Sequence, residues 1–184
     1  KWNLEEKTAD GGDVKLRVGL KGAHDDIAEV VFPYFANSAS NGFASTDHPD
    51  TLMRRIPVKR LKLKDGETLV ASVYDLFLAN YGVDQGFGGE HMPSNYDDLE
   101  PYTPAWAEKV TTVPREQVIA VARGFAANAE KTNGKSMVII GAAMNHWYHM
   151  DMNYRGVINL LAMCGCIGQS GGGWSHYVGQ EKLR

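Results

Sequence analysis

Apolar and polar residues alternate along two stretches in the first half of the chain. In residues 1–22 every second residue is apolar from Val14 to Leu20, and in residues 60–73 leucines alternate with lysines before Asp65-Gly66. Alternation with a period of two is typical of a strand with one buried face, and Asp-Gly favours a tight turn. The pattern predicts two β-hairpins, with a small, polar loop over residues 36–52 between them.

Two helices are predicted where a start signal precedes apolar residues at helical spacing. Ser72 and Asp75 form a start that resembles a capping box, and Gly82 is a natural stop for that helix. A second helix begins near Pro114, because proline is tolerated in the first turn. Residues 83–105 are predicted to be a long irregular loop. The apolar stripe of the second helix comprises Val118, Ala122, Phe125 and Ala129.

An apolar strand, a polar loop, an apolar helix and a glycine-rich loop follow one another in the last fifty residues. Residues 137–140 read Met-Val-Ile-Ile, a continuous apolar run typical of a strand buried on both faces of a parallel sheet. The predicted fold class is therefore α/β. Residues 1–100 form a segment rich in hairpins and loops with one short helix, and residues 101–184 form an α/β segment that binds a ligand.

Length and charge exclude several classes of protein. With 184 residues and a net charge of −3, the chain fits about one domain, and its charge gives no reason to expect nucleic acid as a partner. No apolar run reaches the roughly 20 residues of a membrane helix. The chain begins at Lys1 without a signal peptide and ends on charged residues after a glycine loop. We therefore expect a piece of a larger protein, with missing ligands outside it.

The loop that follows the predicted strand carries the densest set of polar and aromatic side chains: Asn145, His146, Trp147, Tyr148 and His149. Ligands of open α/β sheets bind beyond the carboxyl ends of strands, so this loop is the first candidate site. The alternative is that the aromatic residues belong to the core and the histidines are structural. A metal site at His146 and His149 is disfavoured because no cysteine or carboxylate ligand is nearby. Asp151 is expected to cap the next helix.

Two glycine- and cysteine-containing motifs follow. Residues 168–173 read Gly-Gln-Ser-Gly-Gly-Gly, and backbone without Cβ atoms can close on a phosphate. The motif matches neither a Walker loop nor a dinucleotide fingerprint, so a linker remains an open alternative. Cys164 and Cys166 are too close in sequence for an unstrained disulfide and too few for an iron–sulfur cluster. We expect both to be reduced and to pack as small hydrophobic residues.

A run of basic residues in the first half is predicted to be the solvated face of an edge strand. Contact with an acidic partner surface is the alternative. The run comprises Arg54, Arg55, Lys59, Arg60, Lys62 and Lys64.

Three segments of the second half carry distinctive motifs: TPAWAEKVTTVPREQVIAVARGFA (103–126), IIGAAMNHWYH (139–149) and INLLAMCGCIGQSGGGW (158–174), followed by VGQ. Together they resemble the molybdopterin bis-guanine-dinucleotide oxidoreductases. One branch of that family, the membrane-associated respiratory nitrate reductases, has catalytic alpha subunits to which further segments are similar. These segments are NHWYHMDMNYRGVIN, HYVGQEKLR and SVYDLFLANYG. The resemblance covers the whole chain and is most specific from residue 101 onward.

The resemblance implies a fold and a chemistry. The second half would be a Rossmann-like, three-layer part of a molybdopterin-oxidoreductase domain. The parent enzyme would reduce nitrate to nitrite by oxygen-atom transfer at molybdenum held by molybdopterin bis-guanine dinucleotide. The aspartate ligand of the molybdenum and the ligands of a [4Fe-4S] cluster would lie outside this chain. The isolated chain is therefore expected to be inactive.

The resemblance also implies roles for individual residues. His146 and His149 would line the substrate funnel, and neither a catalytic residue nor a metal ligand would lie in this chain. The expected cofactor contacts are Asn145, His146, Gly171, Gly172, Gly173, Trp174, His176, Gly179 and Gln180.

The expected partners are an iron–sulfur beta subunit and a membrane gamma subunit with haem b, with nitrate as the small-molecule substrate and no nucleic acid. The chain would lie at the cytoplasmic face of the bacterial inner membrane, attached through these subunits. Another molybdopterin oxidoreductase, acting on selenate, chlorate or formate, is one alternative. A non-catalytic module that binds a partner subunit is the other.

Overall fold

A computed structural model describes residues 19–34, 51–63 and 66–177. The chain divides into two compact units, Lys1–Arg115 and Glu116–Arg184. Most of the hairpin predicted for residues 1–22 and most of the loop predicted for residues 36–52 lie outside the described residues, as do Gly179 and Gln180. None of the helices in the described ranges is long and apolar enough to cross a membrane.

The first unit contains an antiparallel sheet with the strand order β1-β2-β3. Asp26 pairs with Val58 and Pro33 pairs with Thr51, so β1 runs along the first part of β2. The elements are β1 (Asp26–Pro33), β2 (Thr51–Leu63), β3 (Gly66–Val70), α1 (Val73–Asn80) and α2 (Pro104–Thr111). The core of this unit comprises Phe32, Leu52, Ile56, Val58 and Ala79.

The hairpin predicted over residues 60–73 is confirmed, with a shift at its turn. Leu63 pairs with Gly66, so Gly66 is the first residue of β3 rather than part of the predicted Asp65-Gly66 turn. Strand β2 also begins at Thr51, within the segment predicted as loop, because its pairing with β1 compensates for a weak local strand pattern.

Helix α1 begins and ends where the sequence predicts. The Ser72 hydroxyl accepts a hydrogen bond from the Asp75 amide at 3.0 Å and donates one to the Asp75 carboxylate at 2.6 Å. Gly82, just beyond the helix, has φ 75°, a left-handed conformation that glycine adopts at low cost. These local signals suffice to define the helix.

Helix α2 replaces the end of the loop predicted over residues 83–105. Thr103 caps it by accepting a hydrogen bond from the Trp106 amide at 3.1 Å, and Pro104 occupies the first turn. Threonine followed by proline is a start signal, so this helix could have been found from the sequence.

Arg54 corrects the prediction that the basic run is a solvated face. Its side chain is only 3% exposed, because β2 alternates and Arg54 lies on the same inward face as Leu52 and Ile56. Arg55, one residue on, points outward and pairs with Glu29 at 3.1 Å. Desolvation lowers the pKa of Arg54, and the charge of Glu100 acts in the opposite direction.

The second unit contains a strand–helix–strand arrangement in which β4 and β5 are parallel neighbours. A helix crossover between parallel strands is the elementary unit of α/β folds, which agrees with the predicted class. The elements are α3 (Arg115–Thr132), β4 (Met137–Ile140), α4 (Ala142–Asn145), α5 (Met150–Met163) and β5 (Gly173–His176).

One face of β4 is covered and the other is open in the described residues. Val138 packs in a cluster with Ala129 of α3 and Leu161 of α5, so both helices lie on its side. Ile139, on the opposite side, is 76% exposed. The prediction that this strand is buried on both faces is therefore wrong for the described residues. They supply one helix layer, and a three-layer arrangement needs a second on the face of Ile139.

The predicted stripe of α3 is only partly buried. Ala129 is buried, Phe125 and Val118 are half-buried, and Ala122 is exposed. The helix period is correct, but the contacting face is shorter than the stripe because only the last turns of α3 reach the cluster around Leu161.

Candidate functional site

The carboxyl ends of β4 and β5 meet at one edge of the second unit. Ile140, the last residue of β4, is paired with His176, the last residue of β5, and the Tyr177 amide donates a hydrogen bond to the Ile140 carbonyl at 2.8 Å. The loop after β4 therefore begins beside His176 and Tyr177. We call this region the carboxyl edge. It is the position where open α/β sheets bind ligands.

The predicted loop contains one more short helix. Gly141 precedes α4, and after Asn145 the chain continues in turns up to His149, which adopts φ 54°. His149 occupies the N-cap position of α5 without a side-chain hydrogen bond. The expectation that Asp151 caps this helix is wrong. It lies in the first turn, where a carboxylate still favours the positive end of the helix dipole.

Most of the polar and aromatic side chains of this loop face outward. Trp147 is 61% exposed and Tyr148 is 88% exposed, so the alternative that they form part of the core does not hold for this unit. His146 and His149 are exposed as well, and the rings of Tyr148 and His149 lie 3.9 Å apart. An exposed row of this kind is available to contact another molecule.

Asn145 differs from its neighbours because its side-chain oxygen is buried. That oxygen has no hydrogen-bond partner among the described residues. A buried amide oxygen normally has a partner, so its partner must come from outside the described part of the chain or from a ligand.

Tyr154 joins Trp174 and His176 in an aromatic cluster that sequence reasoning missed. Its ring lies 5.0 Å from that of Trp174 and 6.0 Å from that of His176, edge-on to both. Its hydroxyl oxygen is also buried without a partner among the described residues. Tyr154 lies within a segment used for the family resemblance, but no spacing rule distinguished it from other helix residues.

The three consecutive glycines are explained in different ways. A Cβ on Gly172 would collide with the Gly134 carbonyl oxygen and lie 2.9 Å from the Cys166 carbonyl oxygen, so backbone packing requires this glycine. Gly173 has φ 89° and donates its amide to Ser136 at 3.0 Å. Gly171 has φ 85° with open space where a Cβ would lie. Of the three, only Gly171 leaves room for another molecule.

The cysteines are packed as the sequence suggests. Cys166 is fully buried beside Leu161, and Cys164, half-buried, ends α5. Both are free thiols. Burial raises the pKa of the Cys164 thiol, and Cys166 adds to the effect. Within the described ranges, no three His, Cys, Asp or Glu side chains come together as a metal site would require.

A second polar cluster lies in the first unit. The Tyr34 hydroxyl is 2.8 Å from the His91 Nδ1 atom and donates to Glu100 at 3.2 Å, while His91 Nδ1 is 3.1 Å from Glu100. Residues this far apart in sequence give no local signal of contact, so sequence reasoning could not have found the cluster.

The family model for molybdopterin oxidoreductases matches residues 19–181, which include most of each unit and the carboxyl edge. The chain belongs to the molybdopterin oxidoreductase family. Membership implies a molybdenum–pterin cofactor.

Individual members of the family show strong similarity across the whole chain. The respiratory nitrate reductase 1 alpha chain of Escherichia coli (strain K12) is 55% identical over 186 residues, which is 100% of this chain and 15% of that protein. The nitrate reductase alpha chain of Bacillus subtilis (strain 168) is 46% identical over 187 residues, 100% of this chain and 14% of that protein. The chain thus spans about 15% of the length of these relatives.

A relative with a different name matches a smaller region. The perchlorate reductase subunit alpha of Dechloromonas aromatica (strain RCB) is 40% identical over 80 residues, 44% of this chain and 8% of that protein. Similarity over the full chain is therefore a feature of the nitrate reductase relatives cited above.

Proposed function

We propose that this chain is part of the catalytic subunit of a respiratory nitrate reductase and forms one wall of its cofactor site. The observation that carries the proposal is the 55% identity to a nitrate reductase alpha chain along all of this chain. The carboxyl edge is the place we propose for the cofactor, because outward-facing polar side chains and the buried Asn145 oxygen follow the end of β4 there.

The residues present fit a pterin-type cofactor. A fused nitrogen heterocycle presents N–H and carbonyl groups side by side, and the buried Asn145 amide oxygen can accept a hydrogen bond from such an edge. Gly171 lies just before the amino end of β5, and it leaves the backbone accessible for close approach of a phosphate-bearing ligand there. The guanine-dinucleotide form of the cofactor and a [4Fe-4S] cluster elsewhere in the enzyme are part of the proposal.

The residues of this chain would bind and orient, and would not themselves react. When bound, the cofactor supplies the molybdenum at which an oxygen atom is transferred from nitrate. His146 and His149, both exposed, would line the funnel and donate hydrogen bonds to an oxyanion. Trp174 and His176 would form part of the wall. Gly179 and Gln180 remain predicted cofactor contacts.

The wider architecture also belongs to the proposal. The exposed Met137 and Ile139 face of β4 would be covered by further layers of the catalytic subunit, which would complete the Rossmann-like, three-layer arrangement. An iron–sulfur beta subunit and a haem-b gamma subunit would deliver electrons at the cytoplasmic face of the membrane.

Substitution of Asn145 in the full-length enzyme tests the site. We expect Asn145→Ala to weaken cofactor binding about three- to tenfold, because one hydrogen bond contributes about 0.5–1.5 kcal/mol. The measurement is the molybdenum and pterin content of the purified enzyme together with nitrate reduction by a reduced dye. Asn153→Ala, an exposed asparagine on α5, is the control. Unchanged cofactor content and turnover in Asn145→Ala would reject the assignment.

The substrate needs its own experiment. The purified holoenzyme is assayed with nitrate, perchlorate, chlorate, selenate and formate under the same conditions. A clear preference for nitrate supports the proposal, and preference for another substrate favours a different member of the family. A wild-type protein that contains neither molybdenum nor pterin would instead favour the non-catalytic, partner-binding alternative.

A further inference from the structure

The Tyr154 hydroxyl is a buried polar group that the proposed function does not yet use. Its oxygen is buried and has no partner among the described residues. Most buried polar groups in proteins are hydrogen-bonded, since leaving one unpaired costs free energy. A partner for this hydroxyl is therefore expected outside the described part of the chain.

The ring of Tyr154 is fixed independently of its hydroxyl. Trp174 lies 5.0 Å away at an interplanar angle of 69°, and His176 lies 6.0 Å away at 87°. Edge-to-face contacts of this kind are favourable for aromatic rings without any hydroxyl. Phenylalanine would make the same contacts, so the packing explains the ring and leaves the oxygen unexplained.

The position of the hydroxyl points to a ligand. Its ring contacts His176, the last residue of β5, and the second buried oxygen without a partner, that of Asn145, follows the end of β4. Both groups thus belong to the carboxyl edge. The amide oxygen accepts a hydrogen bond and the phenol donates one, and these are the complements of the N–H and carbonyl groups that a fused nitrogen heterocycle carries.

We propose that Tyr154 is a cofactor-binding residue whose hydroxyl donates a hydrogen bond to the heterocyclic part of the cofactor at the carboxyl edge. The inference rests on the proposed function, because it requires a pterin or guanine heterocycle at that edge. It adds a residue from the second turn of α5 to the wall formed by the loop after β4 and the end of β5.

The test is Tyr154→Phe in the full-length holoenzyme, a change that removes one oxygen and keeps the ring. We expect cofactor to be lost about three- to tenfold faster under mild urea, the effect of one hydrogen bond. The readouts are bound molybdenum and pterin over time and the thermal midpoint of the cofactor-free protein, which we expect not to fall. Tyr74→Phe, a half-buried tyrosine of the first unit, is the matched control and should behave like the wild type.

Combination with Asn145→Ala shows whether both residues bind the same ligand. If they do, the double variant should lose cofactor at a rate that departs from the product of the two single effects. Unchanged cofactor loss in Tyr154→Phe with a lowered thermal midpoint would mean that the hydroxyl bonds to polypeptide, which overturns the inference. Unchanged values of both would also overturn it.

The outcomes for the inference and for the proposed function are separate. A wild-type enzyme without molybdenum or pterin would reject the proposed function itself. If the wild-type enzyme holds its cofactor and the Tyr154→Phe variant holds it equally well, only the role of Tyr154 is rejected.

Discussion

The guanidinium group of Arg54 donates a hydrogen bond of 2.6 Å to the carbonyl oxygen of Ala79 in the last turn of α1. The same side chain also donates to the carbonyl oxygens of Asn80 at 3.1 Å, Glu90 at 3.1 Å and His91 at 2.7 Å. The last carbonyls of a helix lack partners within the helix, and a cation is favourable there. A buried arginine on β2 thus joins the end of α1 to the loop at residues 90–91.

Replacement of Arg54 by methionine should destabilise the first unit. Removal of a buried cation leaves several carbonyls unpaired, and we expect the opening free energy of α1 to fall by roughly 2–4 kcal/mol. Native-state hydrogen exchange of the α1 amides in the full-length protein measures this. Arg55→Met is the control, since its pair with Glu29 is exposed and should contribute less than about 1 kcal/mol. Equal effects of the two substitutions would contradict the assignment.

Alanine substitutions at two glycines of the second unit should have opposite effects. Gly172→Ala places a Cβ against the Gly134 carbonyl oxygen, and we expect a loss of about 3 kcal/mol, at the upper end of overpacking effects. Gly124→Ala lies in an exposed part of α3 with open space around it and should stabilise by about 0.5–1 kcal/mol. Hydrogen exchange of β5 and α3 amides reports the two changes. A neutral Gly172→Ala would show that the backbones separate easily.

The two cysteines should differ in their reaction with an alkylating reagent. Cys166 is fully buried and Cys164 is half-buried, so Cys164 should be modified first. Because burial raises the pKa of Cys164, only a small fraction of this thiol is ionised at neutral pH. Its alkylation rate should therefore keep rising with pH beyond the pH at which the rate of an unperturbed thiol levels off. Peptide mass mapping measures the order, with Cys164→Ser as the control that should abolish the fast phase. Earlier modification of Cys166 would contradict the packing.

The Tyr34 hydroxyl should lose its proton at a higher pH than an unperturbed tyrosine does. Burial, followed by the charge of Glu100, raises the pKa of Tyr34 to about 12. Since the pKa in the unfolded chain is about 10, the contribution of Tyr34 to stability is complete below about pH 10 and is lost as pH rises towards about 12. The phenolate absorbance of the wild type minus that of Tyr34→Phe measures the titration. Glu100→Gln should shift it to lower pH, and no shift would mean that Glu100 does not act on Tyr34.

Local features of the chain predicted local structure well. The Ser72 hydroxyl, the Asp75 position and Gly82 defined α1, because capping and helix termination depend on residues within one or two turns. The lysine–leucine alternation located the hairpin over residues 60–73 for the same reason. Thr103 and Pro104 form an equally local start signal for α2, but they follow a segment rich in glycine and acidic residues that is typical of a loop.

Distant contacts could not be predicted in this way. Arg54 is indistinguishable in sequence from Arg55, yet one is buried and the other exposed, because the end of α1 and the loop at residues 90–91 contact only one face of β2. The Tyr34–His91–Glu100 cluster and the ring of Tyr154 against His176 are also products of chain folding. Each depends on segments brought together over long sequence separations.

The sequence by itself determined the start and end of α1, the hairpin, the strand–loop–helix order of the second half and the family, since these depend on neighbouring residues or on motifs read in order. Only the tertiary structure decided that Gly172 is required by the Gly134 backbone while Gly171 is open. It also decided that Asn145 and Tyr154 each bury an oxygen without a partner among the described residues. Burial and close approach are properties of surfaces that meet in space, and no local pattern encodes which surfaces will meet.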